Sequence, residues 1–334
     1  MIYSLYRSNF QLVLLGLPIL ITLLWFGQLY SGADGLAIQN TTTVFSMVKS
    51  IFTSLWVEQL FAMTLIVFSG MLLNATINKE EFFEKHTFLP AFTYVMVMSV
   101  FSEYQLLHPI ILANFFVILA IRRLFHIRRA ADARRMIFDS GFFLGISVLF
   151  YEYYLGFYLL AWGTLSVLRP FVWREHALGL IGLIIPLLFL LFYHFITDSI
   201  PQFRNSIYPK DQYSVTFFSQ FWYSTSVGVG VAFILLILGG KAFFGRQKRS
   251  SLRFKRISNI ILFMGLIVLM LSGVFVLLGF KVPAVFMCAV LGSFLLTFYF
   301  FYSRKQRMAA TVFYITVILC TLNIYYDQLV NIFS

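Results

Sequence analysis

Acidic residues are scarce in this chain: 13 Asp and Glu stand against 25 Lys and Arg in 334 residues. Charge of either sign makes up only 11%, under half of the roughly 25% of an ordinary globular domain. A chain so poor in charge cannot cover itself with water-compatible surface, which excludes a water-dissolved monomer and makes lipid the expected solvent. Cysteine is almost missing. Cys288 and Cys320 lie in separate apolar runs with no CxxC, so a disulfide framework and a zinc site give way to two small buried hydrophobes. The five histidines are scattered and form no H-x-x-x-H pattern. Gly228-Val229-Gly230 follows no strand pattern and lacks a full fingerprint, which argues against nucleotide binding. Leu24-Trp25-Phe26 lacks a small-residue signal cleavage site, so the first apolar run reads as a retained helix.

Apolar residues are what the chain has: 60% hydrophobic and 19% aromatic, with a mean hydropathy of +0.86. They fall in runs near the roughly 20 residues that cross a bilayer. Eleven runs, within a range of ten to twelve, are read as spans. They cover Phe10 to Tyr30, Val57 to Ile77, Ala91 to Leu107, Ile110 to Leu124, Met136 to Tyr151 and Tyr153 to Leu168. The rest are Ala177 to Ile196, Thr225 to Gly240, Ile257 to Leu278, Val282 to Tyr302 and Met308 to Tyr326. The fourth to sixth are short. The expected fold is therefore all-α, a polytopic integral membrane helix bundle in one domain over residues 1–334.

The basic residues set its orientation. With the N-terminus in the cytoplasm, all of the 25 Lys and Arg except Lys49, Arg204, Lys210 and Lys281 fall in inside connections. That asymmetry is the positive-inside pattern, and an odd number of spans puts the C-terminus in the periplasm. It also accounts for the net charge of +12. The charge sits beside apolar spans, facing anionic lipid headgroups, and a nucleic-acid partner is not expected.

Two outer segments are long enough to hold structure. Between about 43 and 56, Val44, Met47, Val48, Ile51, Phe52 and Leu55 repeat at helical spacing. This predicts an interfacial amphipathic helix, with Thr42 or Thr43 as its N-cap. Residues 197–224 form a loop rich in aromatics and interrupted by Pro201 and Pro209, suited to headgroup-level anchoring.

The acids do not follow from topology. Asp34, Glu58, Glu103, Glu152, Asp198, Asp211 and Asp327 map to the outer half, with His108 and His194 at the same level. Either they are hydrated at headgroup level, or Glu58, Glu103, Glu152 and His108 line an outward-facing cavity. Such a cavity would bind a divalent cation, supply a general base or carry protons. Asp139 opens the fifth span beside Arg134 and Arg135 and reads as structural. Gly141 and Gly145 form a GxxxG, a helix-packing signal.

The stretch "IFDSGFFLGISVLFY" from Ile137 to Tyr151, "LRPFVWRE" from Leu168 to Glu175 and "HPIILANFFVILAIRRLF" from His108 to Phe125 resemble a multi-pass inner-membrane family of Bacteroidota. The likeness covers most of the chain and is weakest after about residue 245. Some members carry a carotene-oxygenase label, which the missing histidine-rich iron site does not support. The chain is also distantly similar to membrane glycosyltransferases that use polyprenyl-phosphate sugars. Those have a cytoplasmic N-terminus, a first helix, an outer segment with interfacial helices, and then compact helix pairs. It departs from them in lacking paired acids after the first helix.

By position that resemblance implies Asp34 as catalytic base and Glu103, with Glu58, as a second acidic, metal-binding or orienting site. Arg204, Lys210 and Lys281 would hold the lipid phosphate, with His108 and Glu152 beside the substrate. The expected function is thus a cell-envelope protein of the bacterial inner membrane, a lipid-linked glycosyltransferase-like protein acting on the periplasmic face. Its partners would be membrane lipids and a polyprenyl-linked substrate. The alternative is a non-catalytic scaffold subunit of an envelope or secretion complex that docks other membrane proteins. A transporter is the third choice, and no inverted halves are visible for it.

Overall fold

A computed structural model describes residues 6, 11–31, 42–99, 107–127, 132–169, 171–200, 237–245, 255, 258–267, 270, 289–303 and 306–333. Every regular element among them is helical. After a 3-10 turn at Gln11–Leu15 come α1 (Gly16–Ser31), α2 (Thr43–Ser50), α3 (Leu55–Lys79) and α4 (Leu89–Ser99). Next are α5 (Pro109–His126), α6 (Arg134–Phe150), a 3-10 turn at Glu152–Phe157, α7 (Tyr158–Leu168) and α8 (Trp173–Ile196). Helical stretches at 237–245 and Ser258–Ile267 precede α9 (Ala289–Tyr302) and α10 (Gln306–Phe333).

Local chemistry fixes several boundaries. Ser54 caps α3 by accepting from the Val57 amide at 3.4 Å. Pro109 starts α5, where its missing N–H costs nothing. Three helices, α3, α5 and α8, are long and apolar enough to cross a membrane. The short sixth run is divided: its first turn is 3-10 and α7 proper begins at Tyr158. The outer amphipathic segment is helical only to Ser50, and α3 has already begun at Leu55. Of the aromatic loop at 197–224, only 197–200 are among the described residues.

Ring contacts and close approaches give each helix its direction. Phe68 of α3 meets Phe115 of α5, and Leu73 lines a cavity with Ile121 and Leu124, so these helices run parallel. On α6, Phe150 stacks on Phe116 and Asp139 pairs with Arg123, so α6 returns antiparallel to α5. Gly141 meets Gly179 and Gly145 meets Leu183, which makes α8 parallel to α6. Phe83 lies against Phe301, and Thr93 bonds Thr297 at 2.9 Å, so α9 descends beside α4. Tyr6, ahead of α1, accepts from the Phe88 amide, and Trp25 donates to Ser99 at 3.3 Å.

These directions gather the charge. Among the described residues, Lys79, Lys85, Arg122, Arg123, Arg134, Arg135, Arg169 and Arg174 lie at one end of the bundle, here the basic end, and Lys49 lies at the other. This is the alternation that the sequence predicts for a membrane protein of fixed orientation.

The α6–α8 contact carries the closest backbone approach. A Cβ on Gly141 would collide with the Gly179 carbonyl oxygen, and one on Gly182 with the Phe138 carbonyl oxygen. On Gly145 it would lie 2.5 Å from the Leu183 carbonyl oxygen and 2.9 Å from Pro186 Cγ. The GxxxG on α6 thus faces a second small-residue stripe on α8, and without side chains between them the two backbones touch.

The opposite end as a candidate functional site

At the end opposite the basic residues, α3 and α5 begin and α6 stops. Glu58 lies in the first turn of α3, His108 caps α5, and Glu152 opens the 3-10 turn after α6. Three of the expected site residues therefore lie at this end of the bundle. Asp34, Glu103, Arg204, Lys210 and Lys281 lie outside the described residues.

The helix α2 closes this end. Thr42 is its N-cap, accepting from the Phe45 amide at 3.4 Å, and its hydroxyl also donates to the Phe150 carbonyl at 3.2 Å. Phe45, which the helical pattern did not include, is the fully buried residue of α2. Val44, Val48 and Phe52 pack against the core beside it, whereas Met47, Ile51 and Leu55 are exposed. The apolar face is thus split between the bundle and its surroundings. Lys49, its side chain partly exposed, reaches Glu58: its Nζ lies 4.0 Å from Glu58 Oε1.

Each gathered residue already has a bond. Glu58 is 4% exposed and faces Lys49. His108 accepts from the Ile110 amide through Nδ1 at 3.2 Å, which leaves the proton on Nε2. Burial pushes this imidazole down, to about 3, so His108 is neutral at physiological pH and offers a phosphate no positive charge. Glu152 is shifted the other way: burial raises its carboxyl to about 7, against a backbone hydrogen bond that lowers it. No group of three His, Cys, Asp or Glu able to hold a metal ion occurs among the described residues. Asp139, at the basic end, pairs with Arg123 of α5 at 3.4 Å rather than with the arginines beside it in sequence.

Beneath these residues lies a bond that pattern reading missed. Tyr154 donates to Asn114 Oδ1 at 2.7 Å, and both residues are fully buried. Asn114 also donates to Met98 Sδ at 3.8 Å. The signal was a lone amide inside the apolar run Pro109–Ile121, where a polar group must find a partner. Tyr154→Phe should cost about 1–3 kcal/mol, because it strands a buried acceptor. Replacing both groups, Tyr154→Phe with Asn114→Leu, should recover part of that loss in reversible unfolding from mixed micelles. Equal stability of Tyr154→Phe and the parent would show that the bond contributes nothing.

No family model, no curated protein and no solved structure matches this chain.

Proposed function

We propose that the chain is a multi-pass inner-membrane protein with its basic end in the cytoplasm. Its opposite end handles a lipid-linked sugar at the periplasmic face, as a polyprenyl-phosphate-sugar glycosyltransferase does. The position of α2 carries this reading. A short helix that follows the first long one is clamped across the opposite end by Phe45 and by the Thr42 bond to Phe150. It sits at the end that carries Glu58, His108 and Glu152. That is the order of parts that the resemblance implies: first helix, outer interfacial helix, then compact helix pairs. Asp34, the expected base, belongs to the link between α1 and Thr42. Glu152 adds a carboxyl that keeps its proton to near-neutral pH, the state a general acid requires. A divalent cation at Glu103 and Glu58 would displace Lys49 from Glu58, and Arg204, Lys210 and Lys281 would hold the lipid phosphate.

A second reading, a scaffold subunit of an envelope complex, is favoured by one observation. Glu58 and His108 both make bonds that hold the fold, to Lys49 and to the Ile110 amide.

The test uses the full chain in proteoliposomes supplied with polyprenyl-phosphate sugars. Asp34→Ala, Glu103→Gln and Glu152→Gln should each lower transfer about 100-fold or more without affecting insertion. Wild-type rates in all three variants would remove the assigned chemistry. No transfer by the parent chain, together with co-purification of a fixed envelope partner, would establish the scaffold. A reporter after Arg256 should be cytoplasmic and one after Ser334 periplasmic. A cytoplasmic C-terminus would mean an even number of spans.

A further inference from the structure

At the basic end, the turn between α7 and α8 and the start of α6 enclose a pocket of about 370 Å³. Its walls are Arg134, Phe171, Val172, Trp173, Arg174 and Glu175. The charges do not cancel within it. Glu175 is drawn to Arg169, 3.4 Å away, which leaves the two lining arginines in excess. Arg134 has only a loose pairing with Asp132, at 3.9 Å, and both partners are largely exposed. Phe171 and Trp173 are 66% and 67% exposed, so two large aromatic rings stand beside two guanidinium groups at the mouth of a membrane-length helix. Behind Phe171, His176 is 6% exposed. Its Nδ1 is held by the Val172 carbonyl at 3.1 Å, and its Nε2 has no hydrogen-bond partner among the described residues. The first turn of α8 has no side-chain cap, and the positive end of its dipole adds to the field of the arginines.

We propose that this pocket binds the phosphate headgroup of an anionic membrane phospholipid. Guanidinium groups match phosphate oxygens in paired hydrogen bonds. Exposed Trp and Phe rings fit the boundary between headgroup and acyl chain. Basic pockets between helices on the cytoplasmic side are suited to acidic headgroups. A water-soluble phosphate would make no use of the two exposed rings, which is why the lipid is the assigned occupant. The inference rests on the reading that the basic end meets the cytoplasmic leaflet.

The experiment is native mass spectrometry of the full chain in detergent, titrated with phosphatidylglycerol or with phosphatidylcholine. Phosphatidylglycerol should bind more tightly than phosphatidylcholine. Arg134→Gln with Arg174→Gln should weaken its first binding step about 10-fold or more, as expected for two basic contacts at headgroup level. Lys85→Gln, at the same end but outside the pocket, should leave it unchanged. Arg174→Lys should bind between the parent and the glutamine variant, because it keeps the charge and loses the planar fork. Equal affinity for the two lipids, no effect of the arginine pair, or equally tight binding of water-soluble glycerophosphate would overturn the assignment. The Arg256 reporter separates the two failures. A periplasmic signal there defeats the orientation, whereas lipid selectivity in detergent is measured independently of it.

Discussion

Gly141→Leu and Gly182→Leu should each destabilise the protein by at least about 3 kcal/mol, at the upper end of what overpacking costs. The side chain has nowhere to go. Its first carbon would collide with a carbonyl oxygen of the facing helix, Gly179 for Gly141 and Phe138 for Gly182. A flexible side-chain tip can move aside, but a helix backbone moves only by separating α6 from α8, and that opens the most extensive helix pair among the described residues. Pro186 stiffens the same contact from the α8 side. Its ring lies 2.9 Å from the Cβ position of Gly145, and it offers no N–H to the Gly182 carbonyl. Gly240→Ala is the control. Nothing lies within 4 Å of its Cβ position, so the change should be neutral or favourable by up to about 1 kcal/mol. Reversible unfolding in mixed micelles compares the three. Parent-like stability of Gly141→Leu would mean that α6 and α8 do not meet backbone to backbone.

The α6 half of this interface was legible in the sequence as a GxxxG; the α8 half was not. Gly179 and Gly182 are three residues apart rather than four, and only the parallel course of the helices makes them the partner stripe. Helix directions were legible for a related reason. Lys and Arg avoid lipid whatever the fold, so the position of Arg122, Arg123, Arg134 and Arg135 in the chain predicts the end they occupy. The outer residues were harder. Spacing put Val44, Val48 and Phe52 on one helical face with Met47, Ile51 and Leu55 but said nothing of Phe45, because the buried arc is turned toward Phe45 and leaves the other three exposed. The Tyr154–Asn114 and Thr42–Phe150 bonds join residues 40 and 108 positions apart, which no local pattern contains. Span boundaries put Glu58, His108 and Glu152 at one end, where α3 and α5 begin and α6 stops. What each one bonds to depends on neighbours from other helices.

Glu152 should make stability fall as pH rises from about 4.5 to about 7, by about 3 kcal/mol across the window. The sign follows from where the proton is held. Burial raises the folded carboxyl to about 7, whereas the unfolded chain releases its proton at the ordinary carboxylate value. Between these values the folded state binds more protons than the unfolded state, so each step upward in pH favours unfolding. Below the window both states are protonated and the penalty vanishes. Above it both are ionised and the folded state bears the full cost of a buried charge. His108, at the same end, is pushed down to about 3 by burial, so below about 6.5 the unfolded chain takes up a proton that the folded imidazole refuses; its contribution rises with pH up to about 6.5, opposite in sign to that of Glu152. Glu152→Gln should remove this falling contribution, so that stability rises with pH up to about 6.5, and leave the protein more stable than the parent at about pH 8, since an amide never ionises. An unchanged pH profile in Glu152→Gln would show that the carboxyl is solvated and ionises freely. The same variant separates the two functional readings. If Glu152 is the general acid, transfer by the parent should fall above about pH 7 as the proton leaves, and Glu152→Gln should be inactive although more stable. In a scaffold the variant gains stability and loses nothing, so partner capture at alkaline pH should equal or exceed that of the parent.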